Sequence, residues 1–124
     1  MRPEDYDCLL LPNLYGDIVS DLAAGLVGGL GVAPGANFGA DYATFEAVHG
    51  TAPDIAGKDV ANPMASILSA VMMLRYIEEA AAADRIARAL AQVLKEKRAV
   101  TPDLGGNAGT RAMTAAIIEK LQRP

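Results

Sequence analysis

The chain has 124 residues, 52% hydrophobic and 21% charged, with a net charge of −4. That length allows at most one domain with a core of its own, and the apolar share excludes a disordered chain. An acidic chain without a basic run excludes nucleic acid as its main partner, because phosphate binding needs clustered lysine and arginine.

In chain order, residues 1–5 lead into a short apolar run at 6–11 without an apolar leader region, so no signal sequence is expected. Residues 6–11, closed by Pro12, read as a buried strand. Cys8, the sole cysteine, is expected to be buried there; it cannot form an internal disulfide and fits a reducing cytoplasm, the expected location. Residues 17–30 read as a helix whose Ile18, Leu22, Leu26 and Leu30 recur every fourth position as one apolar ridge. Its other faces are Ala and Gly, which permit close approach of another helix, in a tight bundle or at a subunit interface.

Residues 31–42, rich in Gly, Ala, Pro and Asn, read as an ordered loop with a turn at Pro34-Gly35. Residues 43–48 read as a strand and 50–61 as a second loop. Asn62-Pro63 then starts a helix that runs to about Glu78, with Asn as the cap and Pro at the first helical position. The longest apolar stretch, 64–74, lies in this helix and is too short to span a bilayer, so no membrane partner is expected. A further helix is expected over 80–97, with Ile86, Leu90, Val93 and Leu94 on one side. A short extended piece at 100–104, a turn at 105–107 and a last helix at 110–121 complete the chain. The fold class is α/β. Two or three strands are too few for a doubly wound sheet, so the chain reads as the back part of a larger α/β protein, one partial domain over 1–124.

Two segments carry chemistry. Asp17 and Asp21, four apart, lie on one face of the helix. Like charges repel there, and a hard divalent cation such as Mg2+ or Mn2+, which prefers oxygen ligands, would relieve them. The plain alternatives are a cap or first-turn acid for Asp17 and a solvated acid for Asp21. His49, the only histidine, stands between a strand and a glycine-containing loop, where cofactors dock in α/β proteins. A hydrogen-bonded structural histidine is the alternative. Asp54 could accept hydrogen bonds from both ribose hydroxyls of a nucleotide and repel a 2′-phosphate, or be an ordinary turn residue after Pro53. The sequence has no G-x-G-x-x-G after a strand, no Walker loop, no zinc spacing and no nucleophile elbow.

The runs at 13–21, 28–39 and 46–57, with Ala61-Asn62-Pro63 and the run at 101–106, resemble the metal-dependent β-decarboxylating dehydrogenases. These include the isocitrate, 3-isopropylmalate, homoisocitrate and tartrate dehydrogenases. The resemblance spans essentially the whole chain and implies the C-terminal third of the isocitrate/isopropylmalate dehydrogenase fold, helices packed on a partial sheet. It implies that Asp17 and Asp21 are Mg2+ or Mn2+ ligands. It implies that His49, Gly50, Thr51 and Ala52 wrap the adenosine of the dinucleotide, and that Asn62 reads the adenine. Asp54-Ile55 stands where NADP-dependent members carry a basic residue and a tyrosine, which points to NAD.

The wording around Glu46–Thr51 and Gly35–Asn37 is similar to isocitrate dehydrogenases. The implied function is oxidative decarboxylation of isocitrate to 2-oxoglutarate and CO2. The alternatives are homoisocitrate, 3-isopropylmalate or tartrate as substrate, or a non-catalytic regulatory or truncated member. The family's substrate-gripping arginines, its proton-transferring tyrosine and lysine, and a partner-subunit metal aspartate match nothing here. No catalytic residue is therefore expected in the chain, and no activity of the chain alone. The resemblance also implies a homodimer packed through the helix at 17–30.

Overall fold

The computed structural model describes residues 2–122. The element order is α1 (Asn13–Val27), β1 (Pro34–Phe38), β2 (Ala43–Ala47), α2 (Met64–Tyr76), α3 (Ala80–Glu96) and α4 (Thr110–Gln122), with single 3-10 turns at Pro3–Asp5, Leu30–Val32 and Pro102–Leu104. The architecture is α/β, with helices packed against a small sheet. No helix among the described residues is long and apolar enough to cross a membrane.

β1 and β2 pair antiparallel from Pro34 opposite Ala47 to Phe38 opposite Ala43. The hairpin turns at 39–42, where the Gly39 N–H reaches the Tyr42 carbonyl at 2.8 Å. This corrects the loop expected over 31–42. The Gly, Ala and Asn of β1 have little strand preference of their own, and pairing with β2 supplies the backbone partners that override it. Gly35 permits the close pairing: a Cβ there would sit 3.2 Å from the Glu46 carbonyl oxygen. At the far end of the hairpin Phe38, Phe45 and Tyr76 form a three-ring cluster with centroids 5.6–5.8 Å apart.

The core lies between α2, α3 and α4. Ala89, Leu90 and Val93 of α3 meet Val100, Met113 and Ile117, and Met64, Ile67 and Leu68 close it from α2. α3 ends at Lys97 in the left-handed conformation, and the chain crosses through buried Val100 and Thr101 to a 3-10 turn rather than the extended piece expected at 100–104. Proline at the start of this turn and Gly105 after it, at φ +81°, favour the tight turn over an extended strand. Met113 is 0% exposed, with its sulfur 3.9 Å from the Thr101 hydroxyl. Met113→Ala is expected to cost about 3 kcal/mol through lost transfer energy and a cavity. Urea denaturation measures it, and a loss below about 1 kcal/mol would show that the site collapses around the smaller residue.

The first expected strand does not form. Residues 6–11 form no regular element and bend at Asp7, Leu10 is 97% exposed and Cys8 is exposed as well. A strand needs a neighbour for its backbone groups, and none of the described residues lies beside this one. The helix that follows starts four residues earlier than expected, at Asn13. Pro12 precedes it with φ −59° and ψ 154°, and the Gly16 N–H closes the first turn onto the Pro12 carbonyl at 2.8 Å. It stops at Gly28, whose φ of 127° few other residues adopt. Most of α1 is uncovered: Leu14, Ile18, Leu22, Leu26 and Val27 are all exposed, Leu26 to 80%. Ile18, Leu22 and Leu26 form the expected ridge but cover nothing among the described residues, and Leu30 falls outside it, in the 3-10 turn after the helix has ended.

Candidate functional site

α1 and the hairpin enclose an open cleft of about 770 Å³. Ser20, Ala24 and Val27, at helical spacing on one face of α1, make one wall; Asn37, Glu46 and His49 lie on the other. Small side chains on the helix side keep the cleft open. Asp17 precedes Ser20 by three positions on the same helix, so it neighbours the lip of this wall.

Asp17 and Asp21 are both exposed and lie one turn apart on α1, as their spacing requires. The early helix start removes one plain explanation. With Asn13 as the first residue, the first turn holds no acid, so Asp17 neither caps the helix nor complements its dipole. Neither carboxylate forms an ion pair among the described residues. Two unneutralised carboxylates on one helix face are a donor set that Mg2+ or Mn2+ accepts. Among the described residues no third His, Cys, Asp or Glu joins them. The pair therefore fits part of a ligand shell, with the remaining positions left to other donors.

β2 delivers the second element. It ends at Ala47, and the chain enters a loop that runs to α2. The His49 ring lies with Nδ1 3.0 Å from the Gly50 carbonyl. A carbonyl only accepts, so Nδ1 is the donor in this contact. Ala52 has a positive φ of 41°, and the Ile55 N–H folds back onto its carbonyl at 3.1 Å. This tight turn leaves Asp54 exposed, next to a half-buried Ile55. At the loop's end the Asn62 Oδ1 accepts from the Met64 N–H at 2.9 Å; the helix begins one residue later than read, with Pro63 at the cap position, so Asn62 holds the first free N–H from the residue before the cap. Its amide nitrogen donates to the Asp103 carboxylate at 2.8 Å.

Thus α1 and the hairpin face each other across the cleft, with His49 lining it and Asp54 and Asn62 further along the loop that follows. Sequence reasoning missed Ser20, Asn37 and Glu46 as cleft residues. The Asn37 amide lies 3.4 Å from Glu46 Oε1, a pairing that becomes visible only once 34–38 is recognised as a strand. It also missed Asp59 and Asp103, which fix the loop from below. The Asp59 carboxylate accepts from the Arg111 N–H at 3.0 Å, and its carbonyl accepts from the Thr110 N–H at 3.1 Å.

A family model described as isocitrate/isopropylmalate dehydrogenase matches residues 1–121. The isocitrate/homoisocitrate dehydrogenase of Thermus thermophilus is 59% identical over 122 residues, covering 98% of this chain and 36% of that protein. A probable mitochondrial NAD isocitrate dehydrogenase subunit alpha of Drosophila melanogaster is 58% identical, covering 97% of this chain and 32% of that protein. The crystal structure of isocitrate dehydrogenase from Methylococcus capsulatus superposes with a TM-score of 0.91 at 54% identity, covering 99% of this chain and 37% of that one. The chain spans about a third of the length of these relatives.

Proposed function

The chain belongs to the isocitrate/isopropylmalate dehydrogenase family, and we propose that it supplies the metal and NAD-adenosine parts of an enzyme that converts isocitrate and NAD to 2-oxoglutarate, CO2 and NADH. The observation that carries this reading is the cleft itself, with the aspartate helix on one side and the His49 loop opening from the other. In this reading 1–124 is one partial domain, the C-terminal third of the whole protein. The Thermus and Drosophila relatives, named as isocitrate/homoisocitrate dehydrogenase and as an NAD isocitrate dehydrogenase subunit, support a dehydrogenase acting on isocitrate.

Asp17 and Asp21 would hold Mg2+ or Mn2+, which when bound acts as a Lewis acid toward substrate oxygens. The loop at His49, Gly50, Thr51 and Ala52 would receive the adenosine. Asp54 offers both carboxylate oxygens to ribose hydroxyls and opposes a 2′-phosphate, and Asn62 meets the adenine. The Asn62 side chain is already engaged at both ends, so its backbone N–H and C=O, which have no partner among the described residues, are the groups left for the base. The uncovered apolar face of α1 supports a dimer packed through that helix.

The test is NADH formation from isocitrate with Mn2+, by the chain alone and with the N-terminal portion of a relative added. Activity only after addition is the expected result. Activity of the chain alone would refute the absence of catalytic residues, and none in either case, with the chain folded, would favour a non-catalytic member. Homoisocitrate is the second substrate reading, carried by the name of the Thermus relative; turnover of both acids by the assembled enzyme separates the two.

Asp54→Lys with Ile55→Tyr is expected to shift the NADP-to-NAD preference by about tenfold or more, since a repelling charge becomes an attracting one at the ribose. Cofactor titrations of the assembled enzyme measure it, and an unchanged ratio would sink the assignment of this loop.

A further inference from the structure

We propose that Asp103 is a positioning residue of the nucleotide site, acting through Asn62 to set the preference for an adenine base. This rests on the reading that the loop before α2 takes the adenosine of NAD.

Capping α2 requires only the side-chain oxygen of Asn62, which accepts from the Met64 N–H. The other end of the amide is held by a residue 41 positions away, the Asp103 carboxylate. With oxygen and nitrogen each committed, the amide cannot flip, and the residue that ends the loop has one orientation. Gly31 packs against the same pair: a Cβ there would lie 3.6 Å from the Asn62 Cβ and 3.9 Å from Asp103 Oδ2.

Asp103 is itself anchored to the core. It sits in the turn at Pro102–Leu104, which is closed onto the carbonyl of fully buried Thr101 by the N–H groups of Leu104 at 3.0 Å and Gly106 at 3.1 Å. Beside it, Asp59 joins the loop to the start of α4 through Thr110 and Arg111, and the Thr110 hydroxyl donates to the Ala61 carbonyl. Residues 59–62 are therefore held from the C-terminal side of the chain. The free groups that result are the Asn62 N–H and C=O, one donor and one acceptor on one residue. Adenine presents the complement on its Watson–Crick edge, an acceptor at N1 and a donor at N6. Hypoxanthine inverts both, with a donor at N1 and an acceptor at O6. Fixing Asn62 fixes which base this pair can match.

The experiment is titration of the 15N-labelled chain with AMP and with IMP, read at the Asn62 amide and across the spectrum, for the wild type, Asp103→Ala, Asp103→Asn, Asn62→Ala and Asp54→Ala. Wild type should prefer AMP. Asp103→Ala should raise the Kd for AMP about tenfold while moving that for IMP little, so the preference collapses. Asp103→Asn keeps an acceptor for the Asn62 amide and should recover most of the preference. Should Asp103→Ala fail to fold, the smaller fall of the AMP-to-IMP ratio in Asp103→Asn, about threefold, takes its place. A merely structural role would weaken AMP and IMP equally, and that result overturns the proposal. If Asp54→Ala weakens AMP binding but the Asp103 variants leave the AMP-to-IMP ratio unchanged, the proposal fails and the adenosine reading stands. If wild type shows no AMP binding, or no variant changes it, both fail together.

Discussion

Asp17→Asn is expected to lower metal-dependent turnover of the assembled enzyme by at least on the order of a hundredfold, with the fold unaffected. The substitution keeps the shape and one oxygen but removes the charge. Its selectivity follows from where α1 begins. Because Pro12 ends the preceding segment and Asn13 is the first helical residue, Asp17 lies past the first turn and contributes nothing as a cap. It is exposed and makes no ion pair among the described residues, and the Ser20 hydroxyl donates to its backbone carbonyl at 3.0 Å rather than to its carboxylate. A surface substitution of this kind changes stability by about 0.5 kcal/mol or less. Loss of turnover with an unchanged melting curve, and partial recovery at high Mn2+, would together identify a ligand. Near-normal turnover at low Mn2+ would remove Asp17 from the ligand set.

The parts of the fold that the sequence announces are those whose causes are local. Asn62-Pro63 carries its own cap, and the amphipathic spacing of Leu90, Val93 and Leu94 places α3 against the core without further information. The four-residue spacing of Asp17 and Asp21 puts both on one face whatever surrounds them. What stays hidden depends on residues distant in the chain. Residues 6–11 have strand composition but no neighbour, whereas 34–38 have weak strand composition and a neighbour, and the neighbour decides in both cases. The same holds in the site. The Asn62–Asp103 and Asp59–Arg111 contacts join residues 41 and 52 positions apart, so no window of sequence contains both partners. The exposed ridge of α1 was readable as apolar from its period, but its lack of cover within the chain emerges only from the packing.

Gly106→Ala is expected to destabilise the chain by about 3 kcal/mol or more, against about 1 kcal/mol for Gly105→Ala. The two neighbours differ in kind. Gly105 has φ +81° and open space around a would-be Cβ, so its replacement costs only the left-handed conformation. At Gly106 a Cβ would overlap the Val100 carbonyl oxygen and fall 2.7 Å from its carbonyl carbon. Both contacts are with backbone at a buried residue, so no side-chain rotation relieves them. The chain must part where the Gly106 N–H meets the Thr101 carbonyl and the Ala108 N–H meets the Val100 carbonyl at 3.0 Å. Those bonds close the segment that carries Asp103, so a displaced Gly106 draws the carboxylate away from Asn62. Gly106→Ala should therefore lose nucleotide preference as well as stability, while Gly105→Ala keeps the preference at slightly reduced stability. Urea denaturation of the three proteins ranks the stabilities, and equal midpoints for the two variants would show that the 100–108 loop yields freely and does not hold the site.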